Sequence, residues 1–172
     1  PREGETILEL QTSFKPKAAT LELAQTNFGF LAVRVAKSLS ARFGGGRLTG
    51  ADGKVGEPAL FGNSNPWMDY SGPVPSGGEE GIAFLDHPSN VGFPSKWHVR
   101  DDGWMGPSVC RDRAVILERE KPLELRYLIY AHAGAAPRAN IEATAAEFAK
   151  APGFEVVKGK DGRYAFTAGR KS

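Results

Sequence analysis

Cysteine is nearly absent from this 172-residue chain: Cys110 stands alone, which excludes an intrachain disulfide and any cluster of thiolate ligands. Long apolar runs are missing too. Stretches such as Leu31–Val33 and Ala114–Leu117 fall far short of the roughly 20 residues that cross a bilayer as a helix, so no membrane span is expected. There is no excess of charge of one sign, since 22 Lys and Arg stand against 20 Asp and Glu, and the basic residues are scattered and form no stripe. That balance argues against a nucleic-acid partner. The sequence opens at Pro1 with no visible leader, so the chain is read as processed or as a piece of something longer. A periplasmic or extracellular location is expected over a cytoplasmic one. No repeat of roughly 20 to 50 residues is evident, which sets propellers and solenoids aside.

What is abundant is punctuation. The 21 Gly and 12 Pro break the chain into short segments, most of which alternate as strands do. Strands are expected at Thr6–Leu10, Ala19–Ala24, Phe30–Lys37, Gly81–His87, Ala114–Glu118 and Leu123–His132. In the last of these, Leu125, Tyr127 and Ile129 share one face, while Arg126, Leu128, Tyr130 and His132 share the other. Gly44–Gly46 and Gly72–Glu80 read as a wide turn and a surface loop. One helix is expected from Asn140 to Lys150, with Asn140 as its cap and Pro152-Gly153 as its stop. A final pair, Phe154–Val157 and Tyr164–Thr167, flanks the turn signature Lys160-Asp161-Gly162. Six to ten strands and one short C-terminal helix predict an all-β, mainly antiparallel β-sandwich, a single domain over residues 1–172.

Chemistry concentrates between Trp67 and Gly134, which holds all three histidines, His87, His98 and His132, and all three tryptophans. Two local clusters, Asp86-His87-Pro88-Ser89-Asn90 and Trp97-His98-Val99-Arg100-Asp101, place an imidazole near a carboxylate, the minimum for acid–base work near neutral pH. Such pairs also serve in structural hydrogen-bond networks. The candidate catalytic residues are His87, His98, His132, Asp86 and Asp101, and the candidate ligand-binding residues are Trp67, Asp69, Tyr70, Asn90, Trp97 and Arg100. Aromatic rings beside carboxylate, amide and guanidinium groups suit a sugar, whose C–H face stacks while its hydroxyls take polar partners. A shared concave site is expected to bring His87 and His98 together with Asp86 or Asp101.

The stretches FGFLAVRVA (28–36), WMDYSG (67–72), GIAFLDHPSN (81–90), WHVRD (97–101) and YAHAG (130–134) resemble the PmoA-like bacterial domain family, commonly labelled methane oxygenase. The resemblance covers most of residues 5–150. It implies a soluble, exported β-sandwich, part of a galactose-mutarotase-like supersandwich, with a role in carbohydrate processing. That family carries a further His-Pro-His-His-Arg stretch ahead of this region, so the chain would be the C-terminal part of the domain, with an exposed strand edge that a second copy or the missing segment covers. Three readings follow. The first is a sugar-acting hydrolase, lyase or epimerase, with no cofactor or metal, that takes a small-molecule or oligosaccharide ligand. The second is a copper or iron oxygenase with a histidine–carboxylate facial triad. The third is a non-catalytic sugar-binding or assembly module.

Overall fold

The computed structural model describes residues 4–159 and 165–171. Among the described residues twelve strands run in chain order: β1 (Thr6–Phe14), β2 (Thr20–Leu23), β3 (Val33–Arg34), β4 (Arg47–Gly50), β5 (Trp67–Pro73), β6 (Glu79–Asp86), β7 (Trp97–Val99), β8 (Trp104–Pro107), β9 (Val115–Glu118), β10 (Leu123–Ala133), β11 (Phe154–Lys158) and β12 (Phe166–Arg170). Helix α1 (Glu57–Leu60) is a single turn, and α2 (Arg138–Lys150) is the one long helix among the described residues. All the strand pairs are antiparallel. The fold is an all-β sandwich with a short C-terminal helix, as the alternation predicts.

The principal sheet has the order β1-β10-β6-β5-β4, and a three-stranded sheet has the order β3-β8-β7. Side-chain alternation gives the principal sheet two different faces. Met68, Tyr70, Phe84, Leu125 and Tyr127 point toward the three-stranded sheet and join Trp97, Val99 and Met105 in the sandwich core. Trp67, Ala83, Leu85, Leu128 and Tyr130 point the other way and pack under Ile141 and Phe148 of α2. The molecule therefore has three layers: helix, principal sheet and second sheet. Two small sheets, β2-β9 and β11-β12, flank them.

Several boundaries differ from expectation. The Phe30–Lys37 segment pairs only at Val33 and Arg34, because its partner β8 supplies Met105 and Trp104 and the chain then turns through Asp101–Gly103. Strand β5 was not expected; from Trp67 to Gly72 every residue is buried, so it shows no polar alternation. The residues directly after the expected turn at Gly44–Gly46 form β4, which was not expected. Helix α2 begins two residues early, behind Pro137, with no side-chain cap. The Lys160-Asp161-Gly162 turn lies outside the described residues, but β11 and β12 pair as a hairpin would, Lys158 opposite Phe166. No helix among the described residues is long and apolar enough to cross a membrane.

Candidate functional site

The three histidines occupy three different places. His132, on β10, faces α2 opposite Gly81 of β6, which in turn faces Ser71 of β5. A Cβ at Gly81 would lie 2.5 Å from the His132 ring and 2.7 Å from Ser71 Cβ, so only glycine lets these side chains meet. Through that gap His132 Nε2 reaches Asp69 Oδ2 at 2.7 Å, both side chains fully buried, and Ser71 Oγ donates to Asp69 Oδ1 at 2.7 Å. Burial opposes a charged imidazole, but the hydrogen bond and the charge of Asp69, with the backbone of Ala133 and Gly134, outweigh it and raise the His132 pKa. The carboxylate sits between hydroxyl and imidazole, so the serine is not activated by the histidine as in a nucleophilic triad. Nothing reaches this pair from solvent.

His87 follows β6 and lies under Phe148 of α2, ring centroids 4.6 Å apart. Its Nδ1 accepts from the Ser89 amide at 3.0 Å and lies 2.7 Å from Ser89 Oγ, while the Phe148 carbonyl at 3.2 Å and Arg126 Nη1 at 3.0 Å both face its Nε2. Burial and then Arg126 push its pKa down. Arg126 is also bound by Glu9, which accepts from Arg126 Nη2 at 2.6 Å and from Arg170 Nη2 at 2.6 Å.

The residues around His87 explain the Asp86–Asn90 motif as a loop clamp. Asp86 Oδ1 accepts from the His87 amide at 3.0 Å and from Asn90 Nδ2 at 2.7 Å, and Oδ2 accepts from the Ser95 amide at 2.9 Å. Asn90 also donates to the Arg126 carbonyl at 2.7 Å and accepts from the Arg126 amide at 2.8 Å, so its side chain acts as an extra ladder residue beside β10. Burial raises the Asp86 pKa despite these donors.

His98 lies elsewhere. Its neighbours Trp97 and Val99 point into the sandwich core, so Lys96, His98 and Arg100 line the outer face of the second sheet, away from the principal sheet. Phe28 stacks on His98 with centroids 4.7 Å apart and planes 20° apart, and Phe61 meets it edge-on at 5.2 Å. Trp104 stands edge-on to Phe28 at 6.4 Å. Phe28 is 56% exposed. Guanidinium–carboxylate pairs flank the rings: Arg100 with Glu57 at 3.2 Å, and Arg34 with Asp102. Arg34 also lies over Trp104 at 5.8 Å, and Arg111 over Phe61 at 4.5 Å. Burial, with Arg100 and Arg111 adding to it, lowers the His98 pKa.

The expected shared site is thus corrected. His87 and His132 sit under the helix, and His98 sits beyond the opposite layer. Trp67 and Trp97 are 3% and 0% exposed and Tyr70 is 0% exposed, so none offers a face to a ring. Trp97 Nε1 instead donates to the Asn65 carbonyl at 2.8 Å, and the Tyr70 hydroxyl donates to the Asp101 carbonyl at 2.9 Å and accepts from the Ala41 amide at 2.8 Å. Asp69, Asp86 and Asn90 are buried in internal bonds. Asp101 contributes backbone, its amide donating to Glu57 Oε2 at 2.7 Å. Of the expected set, His98 and Arg100 face an accessible surface. Phe28, Phe61, Trp104, Arg34 and Arg111 complete it. In the sequence Phe28 stands out only as part of the 28–36 stretch, and nothing in its spacing ties it to His98. Among the described residues no three His, Cys, Asp or Glu side chains gather as metal ligands, so a facial triad is not assembled there.

Fold and face together define a β-sandwich protein with an aromatic, guanidinium-rich outer surface on its smaller main sheet. The chain belongs to a family of unknown function, DUF6807, whose model matches residues 1–146. This overturns the resemblance to the PmoA-like family, since the matching model is that of DUF6807. Of the stretches that suggested it, Asp86–Asn90 clamps a loop, and Trp97 and Val99 fill the sandwich core. No curated protein and no solved structure matches the chain.

Proposed function

We propose that the outer face of β3-β8-β7 is a carbohydrate-binding surface. The observation that carries this is Phe28, a largely exposed ring held flat by stacking on His98, with Arg100–Glu57 and Arg34–Asp102 beside it. A ring fixed in place loses little freedom when a sugar covers it, and charged hydrogen-bonding groups at its rim give hydroxyls their partners. Binding is favoured over turnover because the Asp–His pair that could exchange protons, Asp69–His132, is sealed, while His98 has aromatic and cationic neighbours. Neutral mono- and oligosaccharides titrated into the full chain should saturate a change in Trp104 emission, with no product formed. Phe28→Ala should weaken binding about tenfold, roughly 1.4 kcal/mol. Sugar binding that Phe28→Ala leaves intact, or no response from any sugar, would remove this reading.

A further inference from the structure

A cleft adjoins that face at Lys96 and Arg111. It runs between residues 91–96 and 108–115, has a volume of about 210 Å³, and is lined among others by Ser64, Lys96, Ser108, Arg111, Asp112 and Arg113. Pockets for whole small-molecule ligands span roughly 300–1,000 Å³, so this space suits one functional group of a ligand and not an entire ligand. Three cations share it with one carboxylate. Asp112 is committed to Lys96, 2.8 Å away, which leaves Arg111 and Arg113 without a carboxylate partner among the described residues. Nη1 of Arg111 is buried with no hydrogen-bond partner. A buried, unpaired guanidinium nitrogen is costly, and folded proteins ordinarily satisfy such groups.

The chain nevertheless holds Arg111 in place. Its guanidinium lies over Phe61, and the backbone makes room for it at Gly62, whose φ is +77° and where a Cβ would come within 2.6 Å of Arg111 Nη2. An arginine restrained before its partner arrives gives up little side-chain entropy on binding, and its planar fork matches an oxyanion in two hydrogen bonds. From this geometry we infer that the cleft is an oxyanion-binding site that takes one sulfate, phosphate or carboxylate group, with Arg111 as the fixed fork and Lys96 and Arg113 as flanking charges. The cleft shares Lys96 and Arg111 with the outer face, but the inference does not rest on the sugar-binding reading, because neither Phe28 nor Trp104, which carry that reading, lines the cleft.

The test is an amide-resolved NMR titration of the full chain with sodium sulfate, sodium phosphate and sodium glucuronate in separate arms, each against sodium chloride at equal ionic strength. Saturable shifts are expected at the amides of Gly92, Phe93, Ser95 and Lys96 and of residues 108–113 beyond those of chloride, and the tightest arm identifies the oxyanion. As the anion offsets the charge of Arg111, the His98 titration midpoint should rise on saturation. Arg111→Gln should weaken binding about tenfold or more, and the surface double variant Lys96→Gln/Arg113→Gln several-fold. Phe28→Ala should leave the isotherm unchanged. Shifts no greater than those of chloride, or saturation untouched in both the Arg111→Gln and the double variant, would overturn the site.

Discussion

Each histidine of this protein has an environment that fixes the sign of its response to pH. His132 is raised, so the folded state holds its proton more tightly than the unfolded chain. Its stabilising contribution is complete below the unfolded value near 6.5 and fades as pH rises through the folded value. His87 and His98 are lowered, so their contribution is present above about 6.5 and is lost as pH falls below it. Imidazole resonances should therefore place His132 above the other two, and a common midpoint would contradict the burial and pairing described. In Asp69→Asn only the burial of His132 acts strongly, so its midpoint should fall below the ordinary value. The stability deficit of that variant should be larger at pH 5.5 than at pH 8.5 in urea unfolding; equal deficits would show that the pair is not charged. Asn90 is a second decisive residue. Asn90→Ala removes three hydrogen bonds and strands the buried Arg126 amide and carbonyl, which should cost about 2–4 kcal/mol with ligand binding at the outer face retained. The sequence shows the Asp86–Asn90 cluster plainly. It does not show that the loop folds back on β10, 36 residues away, and that return is what makes the cluster structural.

Among the elements, α2 closes the second core and also shields His87. Phe148→Ala should cost about 3–5 kcal/mol, and because burial is the leading cause of the lowered His87 value, its midpoint should climb toward the ordinary one. An unchanged His87 midpoint would mean that the helix does not desolvate the ring. The β11-β12 pair is tied to β1 by side chains: the Gln11 amide donates to the Phe154 carbonyl at 2.9 Å and accepts from its N–H at 2.7 Å, and Arg170 binds Glu9. Burial pushes the Glu9 pKa up, but Arg170 and Arg126 together overcome it and lower it. This tie is intact above the unfolded carboxylate range and is lost as pH falls through the lowered folded value. Glu9→Gln should flatten that acid limb and speed hydrogen exchange in β11 and β12; a variant with the wild-type acid limb would place the linkage elsewhere. Strand β10 was legible because it alternates over its whole length between two unlike faces. Strand β5 was not, because burial on both sides erases alternation, and the partnership of α2 with His87 leaves no periodic trace.

Across the whole molecule, the three tryptophans report on different layers. Trp67 and Trp97 are closed inside the two cores, and Trp104 alone is partly open on the outer face. Iodide should quench only the emission that disappears in Trp104→Phe, and any ligand of that face should alter that same fraction. Quenching that persists in Trp104→Phe would mean that a core breathes. The two cores also bear on how the chain finds its pairing. The buried residues of β5, β6 and β10 are committed by parity to one face or the other, so sliding a strand by one position exchanges their contents. Arg126 and His132 would then enter the sandwich core while Tyr127 and Leu125 turned toward Asp69 and Glu9. Charges would be buried unpaired on one side and apolar rings set against carboxylates on the other, each worth several kcal/mol. A sheet with one wet face tolerates such a slip at half that penalty. Here a mistaken register is rejected from both sides at once, so strand pairing in the principal sheet carries its own error correction.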